Sequence, residues 1–316
     1  HSAWLPRNMP TSEFTLIYRY FSALGRSDAV DLSVGDDCAI LRLGEGERLA
    51  TSVDTLVAGV HFREDSFPED TGFRAASVAA SDLAAMGARP LGMTVALTLP
   101  EADDFWLNAF SQGLAAAVTE YDLPLVGGDT TKGPLTITVQ VLGGLPLDGA
   151  LLRSGARVGD EVYESGTLGD PAAGLAFLSD SELCAPEPDN AGFLVQRFNR
   201  PRARLELGRE LLGRASAAID ISDGLLADAG HIAAASGVKL VIDPKQLPLS
   251  AALAASASPE QARLWALTGG DDYELCFTLP AGESAPPGCT RIGQVEQGEG
   301  VDCGMALDIP PGYQHF

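Results

Sequence analysis

Six short stretches carry acids in the same local setting: "SVGDDCAI" (33–40), "ATSVDTLV" (50–57), "AASDLAAMG" (79–87), "LVGGDTTK" (125–132), "AAIDISDGLL" (217–226) and "TGGDDYELCF" (268–277). In each, one or two carboxylates stand among Gly, Ser or Thr beside apolar residues, where a strand-like run meets a loop or a helix begins. A single acid so placed reads equally well as a helix N-cap or a turn former. Several brought together repel, so either their proton affinities rise or cations hold them. Magnesium suits such a set, because it takes oxygen ligands, keeps waters, and is shared between carboxylates and substrate phosphates. Calcium in an EF-hand needs its acids within one 12-residue loop, and no such loop is present. Zinc wants His or Cys, and the histidines at 1, 61, 231 and 315 show no H-E-x-x-H spacing.

Charge narrows the partners. Acids number 43 against 21 bases, only three of them lysine (Lys132, Lys239, Lys245), for a formal net charge of −22. A nucleic-acid backbone is repelled by such a surface. A phosphate substrate is repelled too, unless metal ions accompany it. There is no G-x-x-x-x-G-K-[ST] to bring a lysine to a triphosphate. The Gly-rich "YESGTLGDPAAGL" (163–175) runs from a strand into a small-residue helix, and reads either as a backbone phosphate cradle or as a plain turn. The motifs of Ser-His-Asp hydrolases, protein kinases and dinucleotide-binding folds are missing.

The elements that position these acids alternate along the chain. Helix-spaced apolar positions fall at 13–24, 72–86, 104–121, 202–213, 223–236 and 259–267. Strand patterns fall at 49–54, 91–99, 135–143, 161–165, 239–243 and 274–279. Long helices beside strands apolar on one face predict an α+β protein of mixed α/β layers. At 316 residues two domains are expected, 9–149 and 150–316, with the break in the Gly/Pro-rich 144–162. Met9 is read as the natural start and residues 1–8 as a cloning remnant. Polar loops are expected at 179–190 and 279–290. No apolar run approaches the ~20 residues of a membrane span, and the first residues lack the pattern of a secretory signal, so the expected compartment is the cytoplasm. Five scattered cysteines without a C-x-x-C pair read as structural rather than as disulfides or zinc ligands.

In order along the chain, "VGDDCAI", "SVDTLVAGVHF", "SDLAAMGA", "VGGDTTKGPL", "LLRSGARVGD", "SGTLGDPAAGL", "IDISDGLLADAGHI" and "GGDDYELCF" closely resemble the thiamine-monophosphate kinase family, from about Glu13 to Phe316. The resemblance implies a PurM-like fold of two α/β domains, a homodimer joined through the N-terminal domains, and several magnesium ions between ATP and thiamine monophosphate. Asp37, Ser52, Asp54, Asp82, Asp129, Asp220 and Asp223 match family metal ligands, with Val53 contributing only its backbone. Gly128, Asp129, Arg153 and Ser222 match ATP contacts, and Asp129 is the residue on which catalysis is expected to depend, through a metal and with no general base. His61, Asp271 and Tyr313 match contacts to the thiamine phosphate. Two departures stand out: Val53 replaces a Thr common in relatives, and Asp271 stands where they usually carry Glu. Competing readings are another ATP-using synthetase of the same superfamily and a non-catalytic magnesium- or nucleotide-binding protein.

Overall fold

The computed structural model describes residues 13–34, 37–179, 187–305 and 312–313. The chain divides into two compact units, neither a single stretch: residues 1–45, 51–79 and 90–142, and residues 46–50, 80–89 and 143–316.

The first unit opens on a short helix, α1 (Glu13–Leu16), which continues as a π-helical turn at Ile17–Phe21 and a 3-10 turn at Ser22–Leu24. The sequence predicts one helix over 13–24; its span is right but its pitch is not uniform. A small ribbon follows, β1 (Val30–Leu32) with β2 (Ile40–Leu41). Most of a four-stranded sheet also lies here, in the order β3 (Glu47–Val57), β6 (Thr136–Pro146), β4 (Arg89–Leu99), β5 (Leu125–Lys132). Two long helices complete it, α2 (Pro68–Met86) between β3 and β4, and α3 (Asp104–Tyr121) between β4 and β5.

Helix α3 shows how the pattern makes the element. Leu107, Phe110, Leu114, Ala117 and Tyr121 recur at three- and four-residue spacing and are all buried. Asp103 caps it by accepting the N–H groups of Phe105 and Trp106, and Asp122 ends it in the left-handed conformation at φ 49°. Strand β6 buries Ile137, Val139 and Val141 while Gln140 faces out, the two-residue period of a one-sided strand. Strand β5 lies parallel to β4 with Gly128 opposite Val95. Gly128 has φ 157°, and a Cβ there would overlap the Val95 carbonyl oxygen. Gly128→Ala is therefore expected to destabilise the protein by about 1–3 kcal/mol, read by urea unfolding; a change within error would contradict this close approach.

The second unit is built on a six-stranded sheet in the order β12 (Gly300–Asp302), β9 (Lys239–Ile242), β11 (Cys289–Glu296), β7 (Glu161–Ser165), β10 (Leu275–Leu279), β8 (Ala217–Asp220). Its pairings are antiparallel except β12 with β9. The helices are α4 (Asp170–Ser179), α5 (Pro188–Asn199), α6 (Leu205–Leu211), α7 (Leu225–Ser236), α8 (Ala251–Ser256) and α9 (Pro259–Thr268). One apolar cluster joins Val162, Ile219, Leu225, Ile232, Leu240, Cys276 and Ile292, and a second joins Ala173, Leu194, Leu253 and Ala262. Mixed strand directions with separate helical layers make this α+β, as the strand patterning predicts. Part of the loop expected at 179–190 lies outside the described residues; α5 already begins at Pro188. Among the described residues the four cysteines are free thiols, and no helix is long and apolar enough to cross a membrane.

Candidate active site

In the first unit, a cavity of about 810 Å³ brings three expected site residues together. Asp37, Gly128 and Asp129 line it beside an apolar wall that includes Tyr18, Phe21, Val95 and Leu97. Asp129 follows the close pairing of Gly128 with β4, is exposed, and accepts the N–H of Thr130 at 3.0 Å.

Ser52 and Asp54 lie on β3, at the opposite edge of the sheet from Asp129 on β5. Three strand spacings, about 14 Å, separate those edges. Both side chains are half-buried, whereas Val53 between them is 61% exposed. Alternation along the strand sends the side chain at 53, Val or Thr, to the face away from Asp54, so only the backbone of this residue is near Asp54's face. His61 follows β3 in a turn; its Nδ1 accepts the Val57 N–H at 3.0 Å, which places a neutral ring's proton on Nε2. Its carbonyl accepts from Arg74 at 3.2 Å.

In the second unit, Asp220 ends β8 and is buried. Its carboxylate accepts the Ser81 hydroxyl at 2.6 Å, from the last turns of α2. Burial first, and the charge of Asp82 second, push its pKa up to about 7. Ser222 and Asp223 form the turn into α7, and two other segments are tied to that turn by main-chain hydrogen bonds. The N–H of Asp271 donates to the Ser222 carbonyl at 2.8 Å, and that of Tyr313 to the Asp223 carbonyl at 3.0 Å. The structure thus unites Asp82 with Asp220, and Ser222 and Asp223 with Asp271 and Tyr313. Asp271 (φ 68°) and Tyr273 (φ 50°) both hold left-handed backbone, strained for residues with a side chain, and the Tyr273 hydroxyl donates to Asp271 at 3.2 Å. Arg153 is placed elsewhere: its carbonyl accepts from Ser236 at the far end of α7 and its side chain is exposed. The helix between spans about 18 Å.

The Gly-rich loop at 163–175 is not a phosphate cradle. The N–H groups of Gly166, Leu168 and Gly169 already donate to Gly288 O, Pro248 O and Asp272 Oδ1. The turn reading holds, and the loop instead caps a buried ionic network that sequence patterning does not reveal. Glu274 is fully buried and accepts from Arg204, from Arg197 at 3.1 Å and from Ser165 at 2.5 Å. Asp170 accepts from Thr167 at 2.6 Å and Ser250 at 2.5 Å. Burial raises Glu164 and Asp272 well above the usual carboxylate range, with neighbouring acids adding to Glu164.

Among the described residues no three acids, histidines or cysteines converge closely enough to hold an ion by themselves. The donor set still suits magnesium, which is usually bound by one or two carboxylates with water and substrate phosphates completing its shell. The sign of the Asp220 shift gives a test. An unfolded carboxyl titrates near ~4, so between there and about 7 the native state holds a proton that the unfolded state lacks. That stabilisation is complete below the unfolded value and is lost as pH rises through 7. The ligand-free protein is expected to melt about 3 °C lower at about pH 8 than at about pH 5.5, with magnesium restoring more at the higher pH. A melting temperature that rises with pH over this range would count against these buried acids.

Residues 35–145 match the family described as AIR synthase related protein, N-terminal domain. That part of the chain is therefore a domain of the AIR-synthase-related class. More narrowly, the chain belongs to the thiamine-monophosphate kinase family. It is 50% identical to the thiamine-monophosphate kinase of Escherichia coli K12 over 273 residues, 86% of this chain and 84% of that protein. A crystal structure of thiamine-monophosphate kinase from Stenotrophomonas maltophilia K279a, 43% identical, superposes with a TM-score of 0.83 over 88% of this chain and 92% of that one. AaThiL complexed with AMPPCP and TMP, 37% identical, superposes with a TM-score of 0.79 over 98% and 100%.

Proposed function

We propose that this protein transfers the γ-phosphoryl group of ATP in line to the terminal phosphate of thiamine monophosphate, giving thiamine diphosphate and ADP. The observation that carries the reading is the family membership, at 50% identity over 86% of the chain. A 37% identical relative complexed with AMPPCP and TMP supports a nucleotide and a thiamine phosphate as ligands.

The acceptor phosphate is already anionic at neutral pH, so no general base is required of the protein. What remains is to hold two anions in line and offset their repulsion. Magnesium, when bound, would supply that charge neutralisation as a Lewis acid. Asp37, Asp129, Ser52, Asp54 and the Val53 carbonyl in the first unit, and Asp82, Asp220 and Asp223 in the second, are its candidate ligands. Gly128, without a side chain, lets the nucleotide approach the backbone of β5, and Ser222 is a further contact; Arg153, at the far end of α7, is not grouped with it. The apolar wall of the 810 Å³ cavity beside Gly128 supports a nucleotide on that side of the unit. His61, Asp271 and Tyr313 are the contacts to thiamine monophosphate. Tyr313 is half exposed, in keeping with a ring that meets a ligand rather than the core. Edge strand β3 exposes Leu49 and Val53, a face suited to pairing with a second copy as a homodimer. The protein works in the cytoplasm on this reading.

Chromatography of thiamine species after incubation with ATP, magnesium and thiamine monophosphate tests the proposal. Thiamine diphosphate that disappears with EDTA is the expected result. Saturable ATP binding with no thiamine diphosphate formed would sink it and turn attention to other acceptors.

A further inference from the structure

Asp228 is 3% exposed and lies within the first turn of α7, where the sequence reads only as helix. Its Oδ2 accepts three successive N–H groups, those of Ser222 at 3.0 Å, Asp223 at 3.0 Å and Gly224 at 3.1 Å. Three consecutive donors converge on one oxygen only when the chain curls around it. Gly224 permits the curl at φ 126°, where a Cβ would press on the Thr268 carbonyl.

The usual helix cap is a side chain that precedes the helix and accepts N–H groups inside it. Here the N-cap is Gly224, which has no side chain, and the acceptor reaches back from within α7. The turn is gripped by its N–H groups on one side, leaving its carbonyls free for other segments. Those carbonyls take the Asp271 and Tyr313 N–H groups, and Ile221 exchanges main-chain hydrogen bonds with Glu274 and Tyr273. One buried carboxylate therefore fixes the turn from which the candidate metal ligand Asp223, the nucleotide contact Ser222 and two substrate contacts are suspended.

We propose that Asp228 is a positioning residue for the reaction, clamping the Ser222–Asp223–Gly224 turn so that Asp223 and the segments tied to it keep their working geometry. This rests on the reading of Asp223 as a magnesium ligand. Asp228 acts through the main chain of the turn, and a misplacement of about 1 Å at such a site costs on the order of 100-fold in rate.

The test compares Asp228→Ala, Asp228→Glu, Asp228→Asn and Asp223→Asn with the parent protein, at a temperature below every melting transition and per folded molecule. Turnover and the magnesium concentration for half-maximal rate are the readouts. Removing the acceptor (Ala) or moving it by one methylene (Glu) is expected to lower turnover about 100-fold and raise the magnesium requirement about tenfold. Asp228→Asn, which keeps a carbonyl oxygen to accept the same N–H groups, is expected to recover at least about tenfold over Ala. If Ala does not fold, Glu carries the comparison. A folded Glu variant with unchanged turnover and magnesium requirement would overturn the proposal, as would an Asn variant no better than Ala. An Asp223→Asn variant with an unchanged magnesium requirement would instead overturn the metal reading of the turn. A shift in Asp223→Asn without one in the Asp228 variants would overturn the positioning role alone.

Discussion

Asp129→Asn is expected to cut thiamine-monophosphate phosphorylation by about 10²- to 10³-fold while leaving the melting temperature of the ligand-free protein unchanged or slightly raised. The substitution keeps the side chain's shape and its ability to accept the Thr130 N–H, and removes one negative charge. Because the Asp129 side chain is exposed within β5, whose close packing depends on Gly128, the fold does not rely on its carboxylate. What is lost is one of the two carboxylates lining the cavity, leaving Asp37 as the other. Steady-state turnover at saturating magnesium, with calorimetry on the same sample, separates the two effects. A variant within threefold of the parent would remove Asp129 from the mechanism.

Glu274→Ala is expected to have the opposite profile, a loss of about 3–5 kcal/mol in unfolding free energy. Glu274 is fully buried between Arg197, whose side chain is 13% exposed, and Arg204. Deleting the carboxylate leaves both guanidinium groups, and the Ser165 hydroxyl, without the acceptor they share. Arg204 is 33% exposed and Arg197 keeps Asp170 at 3.7 Å, so the cost falls mainly on the desolvated Arg197, whose principal buried partner is removed. Against a typical total of about 5–15 kcal/mol, this is enough to shift much of the protein toward the unfolded state on mild heating. Urea unfolding checks it, and a loss under about 1 kcal/mol would show that water reaches the two arginines.

How much of this is legible in the sequence depends on whether the signal is local. Helix α3 is legible because its buried positions repeat with the helical period and Asp103 stands where a cap must. Strand β6 is legible because Ile137, Val139 and Val141 alternate with polar residues. Strand β8 is not, since "AAID" is buried on both faces and too short to show a period. Helix α4 is legible as a small-residue helix after the Gly-rich loop but not in its extent, because its residues offer apolar surface all round. The helix at 13–24 is legible in extent only, because a periodic apolar pattern does not distinguish α from π or 3-10 turns. For the site, residue type and turn position identify the acids, but not which of them are neighbours. Asp82 and Asp220 lie far apart in sequence and are joined through Ser81, and the Glu274 network draws on four separate segments. Asp228 escapes notice because an acid inside a helical pattern reads as an exposed face.

The inward turn of Arg197 and Arg204 bears on how substrates arrive. Arg197 and Arg204 are matched by the internal Glu274 and Asp170, so this cluster is self-neutralised and the outward field is set by the remaining excess of acids in a chain of 21 bases and 43 acids. A nucleotide diffusing toward this protein climbs a repulsive potential instead of being funnelled in. Added salt, which slows encounter between opposite charges, here flattens the barrier and quickens encounter with free nucleotide. A nucleotide already carrying its cation has less charge to be repelled, so the field itself favours the ion-loaded form before any contact is made.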